Sequence, residues 1–211
     1  MDGQLDFFSG GGSDRRLRAP DAPRDANTFR YYFSILPPPA LAQDIERGAA
    51  LLARRHGARN LIRADRLHVS LNGVWRSTDE IESVLLDDAL EVGNAVRRPG
   101  FDIAFDTLLT FAGQSRSQTG GRSIVPTVLT CSNGAREVVA LYADIRREMQ
   151  RLGMPVGAKS TVPHLTIWYG PQRVPERLLK RPFRWPVRKF WLVRTAAGQK
   201  RPDTMGEWSL G

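Results

Sequence analysis

Arg66-Leu67-His68-Val69-Ser70-Leu71-Asn72-Gly73-Val74-Trp75 and Ser160-Thr161-Val162-Pro163-His164-Leu165-Thr166-Ile167-Trp168-Tyr169-Gly170 carry the same inner pattern: histidine, apolar residue, hydroxyl residue, apolar residue. Both stretches read as strands, and strand side chains alternate in direction. His68 and Ser70 therefore share one face, as do His164 and Thr166, while Val69, Leu71, Leu165 and Ile167 turn to a core. Each strand offers an imidazole and a hydroxyl roughly 6.6 Å apart on a rigid base. Pro163 stands at the start of its strand, where a missing N–H costs least. The chain has 3 histidines, and two obey the pattern. At this composition, chance would place two of three in it about once in a thousand sequences.

Outward from these strands the sequence repeats an order of elements. Phe29–Leu36 (FRYYFSIL) reads as a buried strand, stopped by Pro37-Pro38-Pro39. Leu41, Ile45, Ala49 and Leu52 follow helical spacing, with Gly57 as a natural stop. Ile81, Leu85, Ala89, Val92 and Val96 form a second helix face, broken by Pro99-Gly100. FDIAFDTLLTF (101–111) reads as a strand, GQSRSQTGGR (113–122) as a polar loop, and SIVPTVLTC (123–131) as a strand. Pro126 places that last strand at an edge or at a bulge. Leu141, Ile145, Met149 and Leu152 make a third helix face closed by Gly153, and WPVRKFWLVRT (185–195) and MGEWSL (205–210) close the chain. Strand, helix, histidine strand thus occurs twice. The expectation is an α+β fold of two pseudo-symmetric lobes, each an antiparallel sheet with helices on its outer face, around a central cleft.

Residues 1–27 are rich in Gly, Asp, Ser and Arg and lack apolar periodicity, which predicts a disordered tail before a single bilobal domain over 28–211. The formal net charge is +9; the tail holds five Asp against four Arg, so the body carries about +10. Such a field favours polyanions and nucleic acid. No apolar run approaches the ~20 residues of a membrane span, and the start lacks the pattern of a secretory signal. A cytoplasmic, monomeric protein is expected. The single cysteine, Cys131, reads as a small buried hydrophobe.

The paired motifs suit a specific chemistry. Hydrolysis of a cyclic phosphodiester needs a base for water and an acid for the leaving alkoxide, and two imidazoles can hold opposite protonation states near neutrality. Ser70 and Thr166 can donate to the non-bridging phosphate oxygens. Neither motif brings a third ligand beside its histidine, so no metal or other cofactor is expected. His56 follows Arg54-Arg55 at a helix end, where the dipole favours it without a catalytic role.

HVSL and PHLTI, together with FRYYFSILPP, resemble the two-histidine phosphoesterase superfamily over residues 28–211, especially its RNA 2′,3′-cyclic phosphodiesterase (2′-5′ RNA ligase) branch. The resemblance implies His68, Ser70, His164 and Thr166 as a catalytic quartet. His68 would then act as acid for the 3′ oxygen and His164 as base for water. It implies hydrolysis of cyclic phosphate ends of RNA to 2′-phosphates. Alternatives are the same chemistry on a small nucleotide, the reverse ligation, or an RNA-binding protein without catalysis. The branch often has an aromatic where this chain has Gly73, after Asn72, and an Arg where it has Tyr169. Trp168 and Tyr169 either stack on a base or cap the core; Lys159, Arg66 and Arg76 are candidate phosphate contacts. Gln4-Leu5-Asp6-Phe7-Phe8 resembles the short peptide that docks bacterial sliding clamps, which makes a clamp a candidate partner.

Overall fold

A computed structural model describes residues 28–56, 58, 60–111, 125–157 and 162–211. The expected tail with its clamp-like peptide, the 113–122 loop, Gly57 and Lys159 lie outside the described residues. In chain order the elements are β1 (Phe29–Ile35), α1 (Pro39–Arg55), β2 (Asn60–Leu61), a 3-10 turn (Ala64–Arg66), β3 (Val69–Ser77) and α2 (Ser83–Ala95). Then follow β4 (Phe101–Thr110), β5 (Val125–Asn133), α3 (Ala135–Arg151), β6 (His164–Gly170), β7 (Arg177–Val187), β8 (Lys189–Thr195) and β9 (Asp203–Ser209).

The strands form one open 9-stranded sheet in the order β7-β4-β5-β6-β3-β1-β8-β9, with β2 beside β6. Every pairing is antiparallel. Two halves meet at a seam between β3 and β6 that consists of one register pair, Val69↔Leu165. Outward from the seam, β3, β1, β8 and β9 answer β6, β5, β4 and β7, which is the pseudo-symmetry of the two lobes. The chain does not give one lobe to each half of its length. Its final hairpin, β8-β9, returns to complete the lobe that β1 began.

The helices also cross. α1 follows β1 yet packs against β6, and α3 follows β5 yet packs against β3 as well. α1 buries small residues, Ala42, Ala49 and Ala53 around Ile45, which allows close approach to the sheet. α3 buries Val138, Leu141, Tyr142, Ile145 and Met149 along one stripe. It starts at Gly134, whose φ of +83° is a left-handed conformation that glycine adopts without strain. α2 lies under β8 and β9. There Gly93 is required by space, since a Cβ would run into the Trp208 ring.

Three sequence expectations need correction. β5 is an interior strand between β4 and β6, so Pro126 marks no edge; an irregularity follows it at Thr127/Val128. The stretch 185–195 is two strands, β7 and β8, divided at Arg188. β7 runs from Arg177 through Pro182 and Pro186, which it tolerates because it is the sheet edge. Cys131 is half-buried against the core rather than fully inside it. Among the described residues no helix is long and apolar enough to cross a membrane.

Candidate active site

Val69 and Leu165 are both fully buried, which fixes their register across the seam. In the antiparallel register through that pair, His68 comes opposite Thr166 and Ser70 opposite His164. The four side chains thus form a two-by-two array on one face, with the imidazoles on one diagonal and the hydroxyls on the other. Diagonal neighbours in such a ladder lie roughly 7–8 Å apart, enough for a phosphate between the rings. The array opens into a cavity of about 390 Å³, lined also by Arg30, Tyr32, Arg66, Gly73 and Tyr169.

Each imidazole is held in the same way. His68 Nδ1 lies 2.8 Å from the carbonyl of Arg66, and His164 Nδ1 lies 2.8 Å from the carbonyl of Val162. A carbonyl only accepts, so each Nδ1 carries a proton and donates it. In the neutral ring the titrating lone pair is therefore on Nε2. An aromatic ring braces each histidine: Tyr32 at 5.1 Å from His68, and Phe111 edge-on at 4.9 Å from His164.

Burial lowers the pKa of both histidines. For His68 the bond to the Arg66 carbonyl opposes this, while the charges of His164 and Arg66 lower it further. For His164 the bond to Val162 opposes the effect of burial. Tyr32 is pushed up to about 12 by burial, against the pull of Arg66 and Arg30, so its phenol stays a proton donor. Burial, with the nearby Asp106 carboxylate, likewise pushes the Cys131 thiol up to about 12, which keeps it inert as a nucleophile.

The two aromatic candidates on β6 separate. β5 pairs Val128 with Thr166 but Thr127 with Trp168, leaving Ile167 as an extra residue on β6. This bulge inverts the alternation. Trp168 turns into the core at 1% exposure, its ring 6.4 Å from that of His56, and is not a substrate contact. Tyr169, 39% exposed, takes its place on the cleft wall. β3 does the same: Tyr32 pairs with Gly73 and Ser34 with Ser70, so an extra residue lies between. Asn72 is buried and Gly73 lines the cleft. The position five residues after each histidine thus reaches the cleft from both sides.

A profile of the 2′-5′ RNA ligase superfamily matches residues 37–199. The chain belongs to the 2′-5′ RNA ligase superfamily. The folds of solved structures agree. E. coli LigT complexed with ATP superposes with a TM-score of 0.64 at 21% identity, covering 87% of this chain and 98% of that one. E. coli LigT complexed with 3′-AMP gives 0.65 at 22%, with the same coverage. TT0787 of Thermus thermophilus gives 0.63 at 20%, covering 86% and 97%. No curated protein matches the chain in sequence comparison.

Within this superfamily member, Arg66 of the expected cations lines the cleft, and its Nη1 donates to the Gln199 carbonyl at 3.0 Å. Arg76, six residues beyond Ser70 on β3, does not line it. Its cross-strand partner, Arg30, does line the cleft. Arg30 and Tyr32 escape any reading of FRYYFSIL as a wholly buried strand. Period-two reading of β1 sets Arg30 and Tyr32 on one face and is the signal that finds them.

Proposed function

We propose that this protein hydrolyses 2′,3′-cyclic phosphodiesters at RNA ends to 2′-phosphates. The observation that carries the reading is the matched pair of imidazoles, each with Nδ1–H bound to a carbonyl, diagonal to each other across two hydroxyls. In the reaction, His164 Nε2 takes a proton from water as the water oxygen attacks phosphorus. The bond from phosphorus to the 3′ oxygen breaks, and His68 Nε2–H gives its proton to that oxygen. The products are a 2′-phosphomonoester and a free 3′-hydroxyl. Ser70 and Thr166 donate to the non-bridging oxygens, and Arg30, Arg66 and the Tyr32 phenol add positive potential at the cleft. The E. coli LigT structures that hold ATP and 3′-AMP support a nucleotide as ligand.

The test is turnover of a 2′,3′-cyclic nucleotide in EDTA, with product position read by phosphorus NMR. Loss of about 10²–10⁴ in kcat in each of His68→Ala and His164→Ala, with unchanged circular dichroism, is expected. Activity surviving either change would overturn the two-histidine mechanism, and chelator-sensitive activity would point to a metal. Binding without turnover would indicate an RNA-binding role. Supplying an RNA with a 5′-hydroxyl tests ligation, in which that hydroxyl replaces water and a 2′-5′ bond forms.

A further inference from the structure

The Nδ1 of His68 is held by one carbonyl, that of Arg66, at the end of the 3-10 turn Ala64–Arg66. The turn itself is weak. Arg66 N–H meets the Arg63 carbonyl at 2.9 Å, but Leu67 N–H meets the Ala64 carbonyl only at 3.3 Å. Short turns of this kind have poor hydrogen-bond geometry. A drifting carbonyl would carry the imidazole with it, and misplacement by about 1 Å can cost about 10²-fold in rate. The turn therefore needs support from outside.

Two carboxylates supply it. Glu46 on α1 accepts from Ala64 N–H at 3.0 Å, satisfying a donor that the start of a turn leaves orphaned. Asp65, within the turn, accepts from Arg63 Nε at 3.2 Å and Nη2 at 3.1 Å, and from Arg201 Nε at 3.1 Å. Arg201 belongs to the loop between β8 and β9. The same loop offers the Gln199 carbonyl to the Arg66 guanidinium at 3.0 Å. Upstream, Ile62 N–H donates to the Ile167 carbonyl at 2.9 Å, which ties the segment to β6. α1, β6 and the last hairpin thus grip one short turn. The side chains of Arg63 and Arg201 are 64% and 77% exposed, so their ion pairs contribute little to stability. What they fix is the place of the turn.

We propose that Glu46 and Asp65 are positioning residues for His68: they hold the Arg66 carbonyl where it keeps the proton on Nδ1 and leaves Nε2 for the reaction. Their effect on turnover rests on the phosphodiesterase reading of the cleft. An imidazole whose Nδ1 acceptor drifts is free to turn and, when neutral, to carry its proton on Nε2 instead. His164 takes its acceptor from Val162, in a different segment, and serves as the internal reference.

The experiment records imidazole nitrogen NMR spectra of the full ¹⁵N-labelled chain at about pH 8, where both rings are neutral. Turnover of 2′,3′-cyclic AMP is measured alongside, in the parent and in Glu46→Ala, Glu46→Gln and Asp65→Ala. In both alanine variants His68 is expected to shift from the Nδ1–H form to a mixture of tautomers, while His164 keeps its form. Their kcat is expected to fall about 10- to 100-fold with KM changed less than about twofold. Glu46→Gln retains an oxygen acceptor for Ala64 N–H and should keep the Nδ1–H form and kcat within about threefold of the parent. An unchanged His68 tautomer in both alanine variants overturns the inference, as does an equal loss of kcat in Glu46→Gln. Should an alanine variant fail to fold, Arg201→Ala, at an exposed position, takes its place. The same tautomer change is expected there, and an unchanged spectrum overturns the inference. Absence of turnover in the parent chain overturns the phosphodiesterase reading, whereas the spectra still decide whether the grip holds the ring.

Discussion

A proton fixed on Nδ1 of both histidines leaves two Nε2 atoms whose charge states must differ for acid and base to act together. Because burial lowers both pKa values and His164 lowers that of His68, the two rings titrate as a coupled pair on the acid side of 6.5. The profile of kcat/KM against pH is therefore expected to be a bell with its maximum below 6.5, measured over pH 4.5–8. The same shifts act on stability. A neutral histidine with a depressed folded pKa binds its proton more readily in the unfolded chain. The contribution is fully present above 6.5 and is lost as pH falls through the folded values. Thermal melts should show a falling Tm below pH 6.5, and His68→Asn with His164→Asn should flatten that fall. The hydroxyls have a smaller part. Thr166→Val is expected to cost about 10²-fold or more in kcat, as loss of one oxyanion donor does, with little change in Tm.

At the level of strands, the bulges on β3 and β6 decide which side chains reach the cleft. Trp168→Ala should destabilise by about 3–5 kcal/mol in urea unfolding, the cost of removing a fully buried large ring. Tyr169→Ala should change stability by less than about 1 kcal/mol and instead raise KM. A reversed outcome would mean that β6 alternates without a bulge. This is also where reading the sequence reaches its limit. The HVSL and HLTI patterns, the three amphipathic helices and the return of strand, helix, strand are legible, because each is a local periodicity. Trp168 and Tyr169 look like equal candidates in sequence because a bulge is set by pairing to β5, which no local pattern records. β7 is hidden for a related reason: Pro182 and Pro186 argue against a strand unless it is known to lie at an edge. The interlaced course of the helices is equally invisible, since periodicity gives a buried face but not the element it meets.

For the molecule as a whole, one register pair joins the two halves of the sheet, yet α1 and α3 each pack across to the opposite histidine strand. The cleft width is thus set by helices shared between lobes. Residues 28–211 carry about +10, so RNA binding should weaken steeply with salt. Fluorescence anisotropy of a labelled oligonucleotide should give a linear fall of log affinity with log salt, about 0.7 per phosphate contacted. A flat response would remove the electrostatic account of RNA affinity. The returning hairpin β8-β9 has a further consequence, for synthesis. β1 pairs with β3 on one side but with β8 on the other, and β9 lies beyond that. A nascent chain leaving the ribosome exposes the outer edge of β1, with its aromatic run, until β8, through Thr195, has emerged. The lobe translated first is therefore finished last, and an arrested chain holds an unpaired, sticky edge that a chaperone would need to cover.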